Sequence, residues 1–177
     1  MASTYIVNGP CKIYYGSGDG ILLGSYQRGV TISVNTGVNP ITSDVGGTTP
    51  LAGIFVGKTG VVEIPLQFID DVTGAGMQTE IWNAIGKFLN ICFDGTRNPI
   101  GTLAMDYAKK LKIVERVGTD IWEAPYAIPV EPAEIQLDST KEVVFPMRFL
   151  LLPVPLTDGT NPGKLFTTLP SYMSELI

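Results

Sequence analysis

TGVNPITSDVGGTTP, residues 36–50, runs within two residues into GIFVGKTGVVEIPLQF, residues 53–68, and the contrast between these halves decides the fold. The first half is polar and rich in Gly, Pro and Thr, the composition of a turn-forming loop. In the second half Val62, Ile64, Leu66 and Phe68 share one parity and Val61, Glu63, Pro65 and Gln67 the other, as in a strand with one face in a core. Upstream, Val30-Thr31-Ile32-Ser33-Val34 alternates in the same way and is expected to end where the loop begins. Pro65 has no ladder donor, so its strand is expected at a sheet edge or a bulge. The loop holds Asp44, Gly46, Gly47, Thr48, Thr49 and Pro50 but no His, Cys, Lys or Arg. It offers hydrogen bonds without a nucleophile, a base or a phosphate clamp, which is the chemistry of an interface arm.

Past the strand the period changes. Met77, Ile81, Trp82, Ile85, Phe88 and Leu89 recur at helical spacing, which predicts one amphipathic helix over residues 76–90 lying on a sheet face. Asp71, Thr73, Gln78 and Glu80 near its start suit the positive end of the helix dipole. Strand patterns then return. Ala133, Ile135 and Leu137 oppose Glu134, Gln136 and Asp138, and a turn at residues 138–141 leads to Val143, Phe145, Met147, Phe149 and Leu151, so these two segments are expected to form a hairpin. Pro146, Pro153 and Pro155 again point to edges. Gly16-Ser17-Gly18-Asp19-Gly20 is followed by no Lys-Ser or Lys-Thr, and it reads as a turn between Tyr14-Tyr15 and Ile21-Leu22-Leu23 rather than a phosphate loop. The expected architecture is mainly β: a two-sheet antiparallel β-sandwich or barrel flanked by one α-helix, with a long inter-strand loop. Residues 1–177 read as a single domain with an interface arm at 36–50 and an irregular C-terminal tail at 157–177, lying against a neighbour or the surface.

Composition narrows the function. Hydrophobic residues make up 45% and charged residues only 16%, against roughly 25% charged in ordinary globular domains. Such a surface suits burial in an assembly; a tight apolar β domain gives the same numbers. No apolar run approaches the length of a membrane span, and no secretion signal opens the chain, so synthesis in a cytoplasm is expected. The net charge of −5 argues against a phosphate-gripping nucleic-acid binder. Residues 103–117 carry Lys109, Lys110, Lys112 and Arg116, whereas residues 118–140 carry Asp120, Glu123, Glu131, Glu134 and Asp138 with no basic residue. These opposite patches either pair subunits or pair across one hairpin. Without His the chain lacks the usual neutral-pH base and the commonest metal ligand. Asp70 and Asp71 point to opposite sides of an extended strand, so no catalytic dyad, metal site or cofactor site is read. Cys11 and Cys92 are far apart in sequence and are expected to be reduced core residues.

A β protein with proline-marked edges must dispose of its open strand edges, and pairing between identical subunits closes a ring. Here the order of features matters. The run Asp44-Val45-Gly46-Gly47-Thr48-Thr49-Pro50, then Gly57 and the strand Val62-Glu63-Ile64-Pro65-Leu66, followed by one helix and a terminal hairpin, resembles the major tail tube proteins of long-tailed, siphovirus-type bacteriophages. The resemblance covers roughly residues 25–155 in order and spacing, and its motif consists of common turn residues. It implies a structural virion protein, not an enzyme, located in the viral tail: six copies per ring, rings stacked into a hollow tube, and genomic DNA passing through on ejection without specific binding. It also implies a tape measure protein inside the tube, tail terminator and baseplate proteins at its ends, and no membrane partner. Asn39, Asp44, Gly47, Thr49 and Pro50 would then be inter-ring contacts. Glu63, Gln67, Glu134, Gln136 and Asp138 are candidates for a lumen lining that lets a duplex slide, or else form an ordinary solvated strand face. Tubes of contractile tails and of secretion machines have a similar fold, and the proline-rich, apolar C-terminal region departs from the family pattern.

Two other readings stand beside this one. A terminator, head-tail connector or baseplate hub subunit would form a ring that does not grow. A monomeric β-barrel could hold a small apolar ligand among Trp82, Trp122 and nearby aromatics.

Overall fold

The computed structural model describes residues 2–7, 11–18, 20–26, 29–42, 50–68, 86, 88, 103–115, 120–130 and 143–174. Among these residues eight strands form an antiparallel sheet: β1 (Ala2–Val7), β2 (Cys11–Gly16), β3 (Ile21–Tyr26), β4 (Val30–Thr42), β5 (Pro50–Phe68), β6 (Lys109–Glu115), β7 (Ile121–Val130) and β8 (Val143–Leu151). Among the described residues the helices that can be delimited are the one-turn segments α1 (Ala104–Tyr107) and α2 (Ser171–Ser174). The order across the sheet is β1-β4-β5-β8-β7-β6-β2-β3, with β1 and β3 at the edges. The mainly β, antiparallel class read from the alternation holds. Its two facing layers belong to one curled sheet that is not closed.

Distances give the curl. Tyr15 on β2 and Phe149 on β8 have ring centroids 5.2 Å apart, although β2 and β8 are separated by β6 and β7. Three strand spacings in a flat sheet would hold them about 14 Å apart. The Tyr15 hydroxyl also reaches the carbonyl of Ala127 on β7 at 3.2 Å, and residues of edge strand β3 come within 8 Å of β5 between Cα atoms. The concave face holds the core: Ile13, Leu23, Ile32, Val62, Ile64, Leu111, Ile113, Met147, Phe149 and Leu151 are all buried. Val30 and Ile32 are buried while Thr31 and Ser33 are half-buried, and Val62 and Ile64 alternate with Val61, Glu63 and Pro65, as the period-2 pattern requires.

The predicted helix over residues 76–90 lies outside the described residues except at Gly86 and Phe88, both helical. Phe88 is fully buried and meets Phe149 edge-to-face at 5.5 Å. The strand expected around Ala133, Ile135 and Leu137 also lies outside the described residues. Within them, β8 is flanked by β5 and β7.

Proline placement corrects one expectation. Pro65 and Pro146 do not mark edges: both stand in interior strands, directly opposite each other. Neither has an N–H, so they form a non-hydrogen-bonded pair whose nitrogens face outward. On those outer sides the pairing among the described residues stops short, β4 pairing along β5 no further than Glu63 with Thr31 and β7 along β8 no further than Arg148 with Val130. Pro125 sits in the bulge where Lys109 pairs with Ala127 and Leu111 with Ala124. The extra residue shifts the phase, so Trp122 and Ala124 before it and Ala127 after it all face inward.

The C-terminal tail packs on its own sheet. Leu165 is buried in the core and Phe166 meets Trp122 edge-to-face at 5.5 Å. The Glu123 amide donates to the Thr168 carbonyl and the Thr167 amide to the Glu123 carbonyl, extending the far side of β7. Ser171 donates its amide and hydroxyl to Asp120 Oδ1 at 3.0 and 2.9 Å. Gly60 admits this tail: a Cβ there would lie 3.1–3.2 Å from Leu151 and Leu165.

Candidate functional site

The interface arm expected as a loop is a β-hairpin. β4 does not end at Val34; it runs 13 residues, to Thr42, against a β5 of 19 residues. Pairing continues from Thr31 opposite Glu63 to Thr42 opposite Pro50, with shifts at Gly37/Val38 and at Ile41/Thr42. The flanking strands stop short: β1 pairs with β4 no further than Asn35, and β8 with β5 no further than Gly60. Residues 36–42 and 50–59 therefore form a two-stranded ribbon with no third strand among the described residues. At about 3.4 Å per residue it extends roughly 20 Å beyond the sheet. The missing sequence signal is plain, since Gly37 and Pro40 read as loop residues, whereas Gly37 lies opposite Gly57 at a register shift and Pro40 opposite Gly53. Irregular pairing of this kind adds local twist.

The proposed arm contacts divide. Asn39 lies within the ribbon, opposite Ile54, and Pro50 lies opposite Thr42. Asp44, Gly47 and Thr49 lie outside the described residues. Among the lumen candidates, Glu63 and Gln67 share one parity of β5, Gln67 opposite Val144. Glu63 meets Arg148 Nη2 through its Oε1 at 2.7 Å, with both side chains part-exposed. This face of β5 is thus charge-compensated at Glu63 rather than bare acid. Glu134, Gln136 and Asp138 lie outside the described residues.

Among the described residues the opposite-charge patches meet across the β6–β7 pairing, where Lys110 Nζ lies 3.7 Å from Glu123 Oε2. Lys112, opposite Glu123 in register, turns its Nζ over the Tyr14 ring at 6.0 Å from the centroid.

The aromatic cluster proposed as a ligand pocket is partly visible. Trp122 is 3% exposed, covered by Phe166, and donates its Nε1–H to Glu115 Oε1 at 3.2 Å; Trp82 lies outside the described residues. Tyr172 donates to the same Glu115 oxygen at 2.5 Å, and its pKa is pushed up to about 12, first by burial and then by that bond to the carboxylate. Cys11 is buried and reduced, its thiol pushed up to about 11 by burial and by the nearby Glu115 charge. Cys92 lies outside the described residues. Among the described residues no group of three or more Cys, Asp and Glu side chains gathers as a metal site, and no helix is long and apolar enough to cross a membrane. The edge strands carry exposed apolar residues, Ile6 on β1 (69% exposed) and Leu22 on β3 (41%).

No protein-family model and no curated protein matches this chain.

Proposed function

We propose that this protein is a self-assembling structural subunit, a tail-tube-like protein whose rings stack into a hollow tube. The observation that carries the reading is the ribbon formed by β4 and β5 beyond the sheet. An isolated two-stranded hairpin is marginal in water, and one that runs on past its sheet gains stability when it meets another surface. An arm that docks on a surface other than itself makes a heterologous contact, and such contacts repeated without closure build filaments. Among the described residues β1 and β3 lie at the margins of the sheet, each with an exposed apolar side chain, which supports lateral association in the same particle. The ion pair of Glu63 with Arg148 supports a conduit wall that neither grips nor strongly repels phosphates. The role is architectural rather than catalytic, placed in a virion tail with DNA as a passenger.

Electron microscopy of the purified chain over a concentration series tests this. Hollow tubes with a regular axial repeat are the expected result. Rings that never stack would point to a terminator or connector, and uniform monomers at all concentrations would contradict the proposal.

A further inference from the structure

We infer that the outward face of β2 and β6 is a cationic contact strip for an acidic surface of a second copy of this chain; the inference rests on the self-assembly proposed above. Cys11, Ile13 and Tyr15 fill the core from β2, and Leu111 and Ile113 from β6. Strand alternation therefore turns Lys12 and Tyr14, and Lys110, Lys112 and Val114, to the other side. The register sets Lys12 beside Val114 and Tyr14 beside Lys112. Leu22, on edge strand β3, stands opposite Tyr14 and is 41% exposed.

Lys110 is committed to Glu123. Lys12 has no ion-pair partner among the described residues, and Lys112, opposite Glu123 in register, turns its ammonium away from that carboxylate and over the Tyr14 ring. They occupy diagonal positions on neighbouring strands, roughly 7 Å apart, where like charges repel. A fold that keeps two such lysines side by side gains when an anionic surface covers them. The Tyr14 ring and the exposed Leu22 beside the lysines supply the aromatic and aliphatic part of a contact surface.

Charge complementarity identifies the partner. The chain has 12 basic against 17 acidic residues, and with three of the bases in this strip the rest is more acidic than the net of −5 suggests. Residues 131–142 alone hold Glu131, Glu134, Asp138 and Glu142 against Lys141. A second copy thus carries the complement in its own sequence. The strip cannot face its own image across a two-fold axis, because lysines would meet lysines; it needs a different, acidic patch on the second copy, a pairing of two unlike surfaces that a ring or stack can repeat. Lysines are strongly hydrated point charges on flexible stems, which makes such a contact sensitive to salt.

The test uses the full-length protein and sedimentation velocity from about 0.03 to about 0.5 M salt. K12E/K112E should raise the concentration at which assemblies appear by at least about tenfold at low salt. K12Q/K112Q should fall between it and the wild type. K109E/K164E makes the same change in net charge off the strip and should assemble as the wild type does. Unchanged circular dichroism is expected for all, since these substitutions leave the core alone. Normal assembly of K12E/K112E by a wild type that assembles overturns the strip and leaves the self-assembly reading standing. A wild type that stays monomeric removes that reading and the strip's partner with it. Retention of duplex DNA by the wild type but not by K12E/K112E, with assembly unchanged, would put a nucleic acid in the place of the second copy and overturn the inference.

Discussion

The contact between Tyr15 and Phe149 tests the curl of the sheet. Their strands are three positions apart in the sheet order, yet the ring centroids lie 5.2 Å apart. Tyr15→Leu removes that contact and the hydroxyl bond to the Ala127 carbonyl, a bond of about 1 kcal/mol, for a total near 2 kcal/mol. Phe149→Leu removes contacts with both Tyr15 and Phe88 and is expected to cost about 2 kcal/mol as well. Each single change should lower Tm by about 4–8 °C for a chain of this length. The decisive quantity is the coupling. Touching aromatic rings contribute about 0.5–1.5 kcal/mol beyond their buried area, so the double variant should be destabilised by that much less than the sum of the singles. Urea unfolding of all four proteins measures it, with an unchanged m value expected. Additivity within about 0.3 kcal/mol, the behaviour of distant sites, would show that the rings do not meet and that the sheet is flatter than described.

Other perturbations follow from single positions. The raised pKa of Cys11 means the folded state holds its proton more tightly than the unfolded chain does. Stability is therefore fully present below about pH 9 and falls as pH rises towards 11, by up to about 2–3 kcal/mol; Cys11→Ala should flatten that part of a stability-versus-pH curve, and an unflattened curve would show that Cys11 is not its source. Leu165→Ala should cost about 2–4 kcal/mol in urea because the tail is part of the core, whereas a loss under about 0.5 kcal/mol is what a surface-laid tail would give. Gly60→Ala drives a Cβ into Leu151 and Leu165 and should destabilise by about 1–2 kcal/mol, while Gly57→Ala, with open space around its Cβ, should be close to neutral by the same thermal melt. Tyr172→Phe should cost about 1 kcal/mol through the lost bond to Glu115, and an unchanged Tm would place that bond outside the folded state.

Much of the fold was legible because alternation is local. Thr31 and Ser33 between Val30 and Ile32, and Glu63 between Val62 and Ile64, predict the buried face residue by residue, and the glycine-rich turn at residues 16–20 lies where β2 gives way to β3, with Gly18 and Gly20 in the positive-φ region. Topology was less legible. Proline chemistry says only that a donor is missing, and Pro65 and Pro146 meet this by facing one another in mid-sheet, an arrangement set by strands distant in sequence. The segment expected as a loop from residue 36 was misread in form, because Gly37 and Pro40 disfavour a strand until a partner strand supplies the register. The tail's docking was hidden for the same reason: Leu165 and Phe166 show no period of their own and are placed by the gap above Gly60 and by Trp122.

The arm itself decides the central claim. Gly37 and Gly57 face each other where the ribbon leaves the sheet, so replacing residues 38–56 by Asn-Gly closes a tight hairpin there and spares every strand pairing of the sheet proper. Removing only residues 38–49 would leave residues 50–56 without their partners. Sedimentation velocity of the wild type and this shortened protein, side by side over a concentration series, is the most direct measurement. A folded short form is expected, with the melting behaviour of the wild type, that stops at rings or smaller while the wild type grows into tubes. Growth of the short form at the wild-type concentration would contradict it.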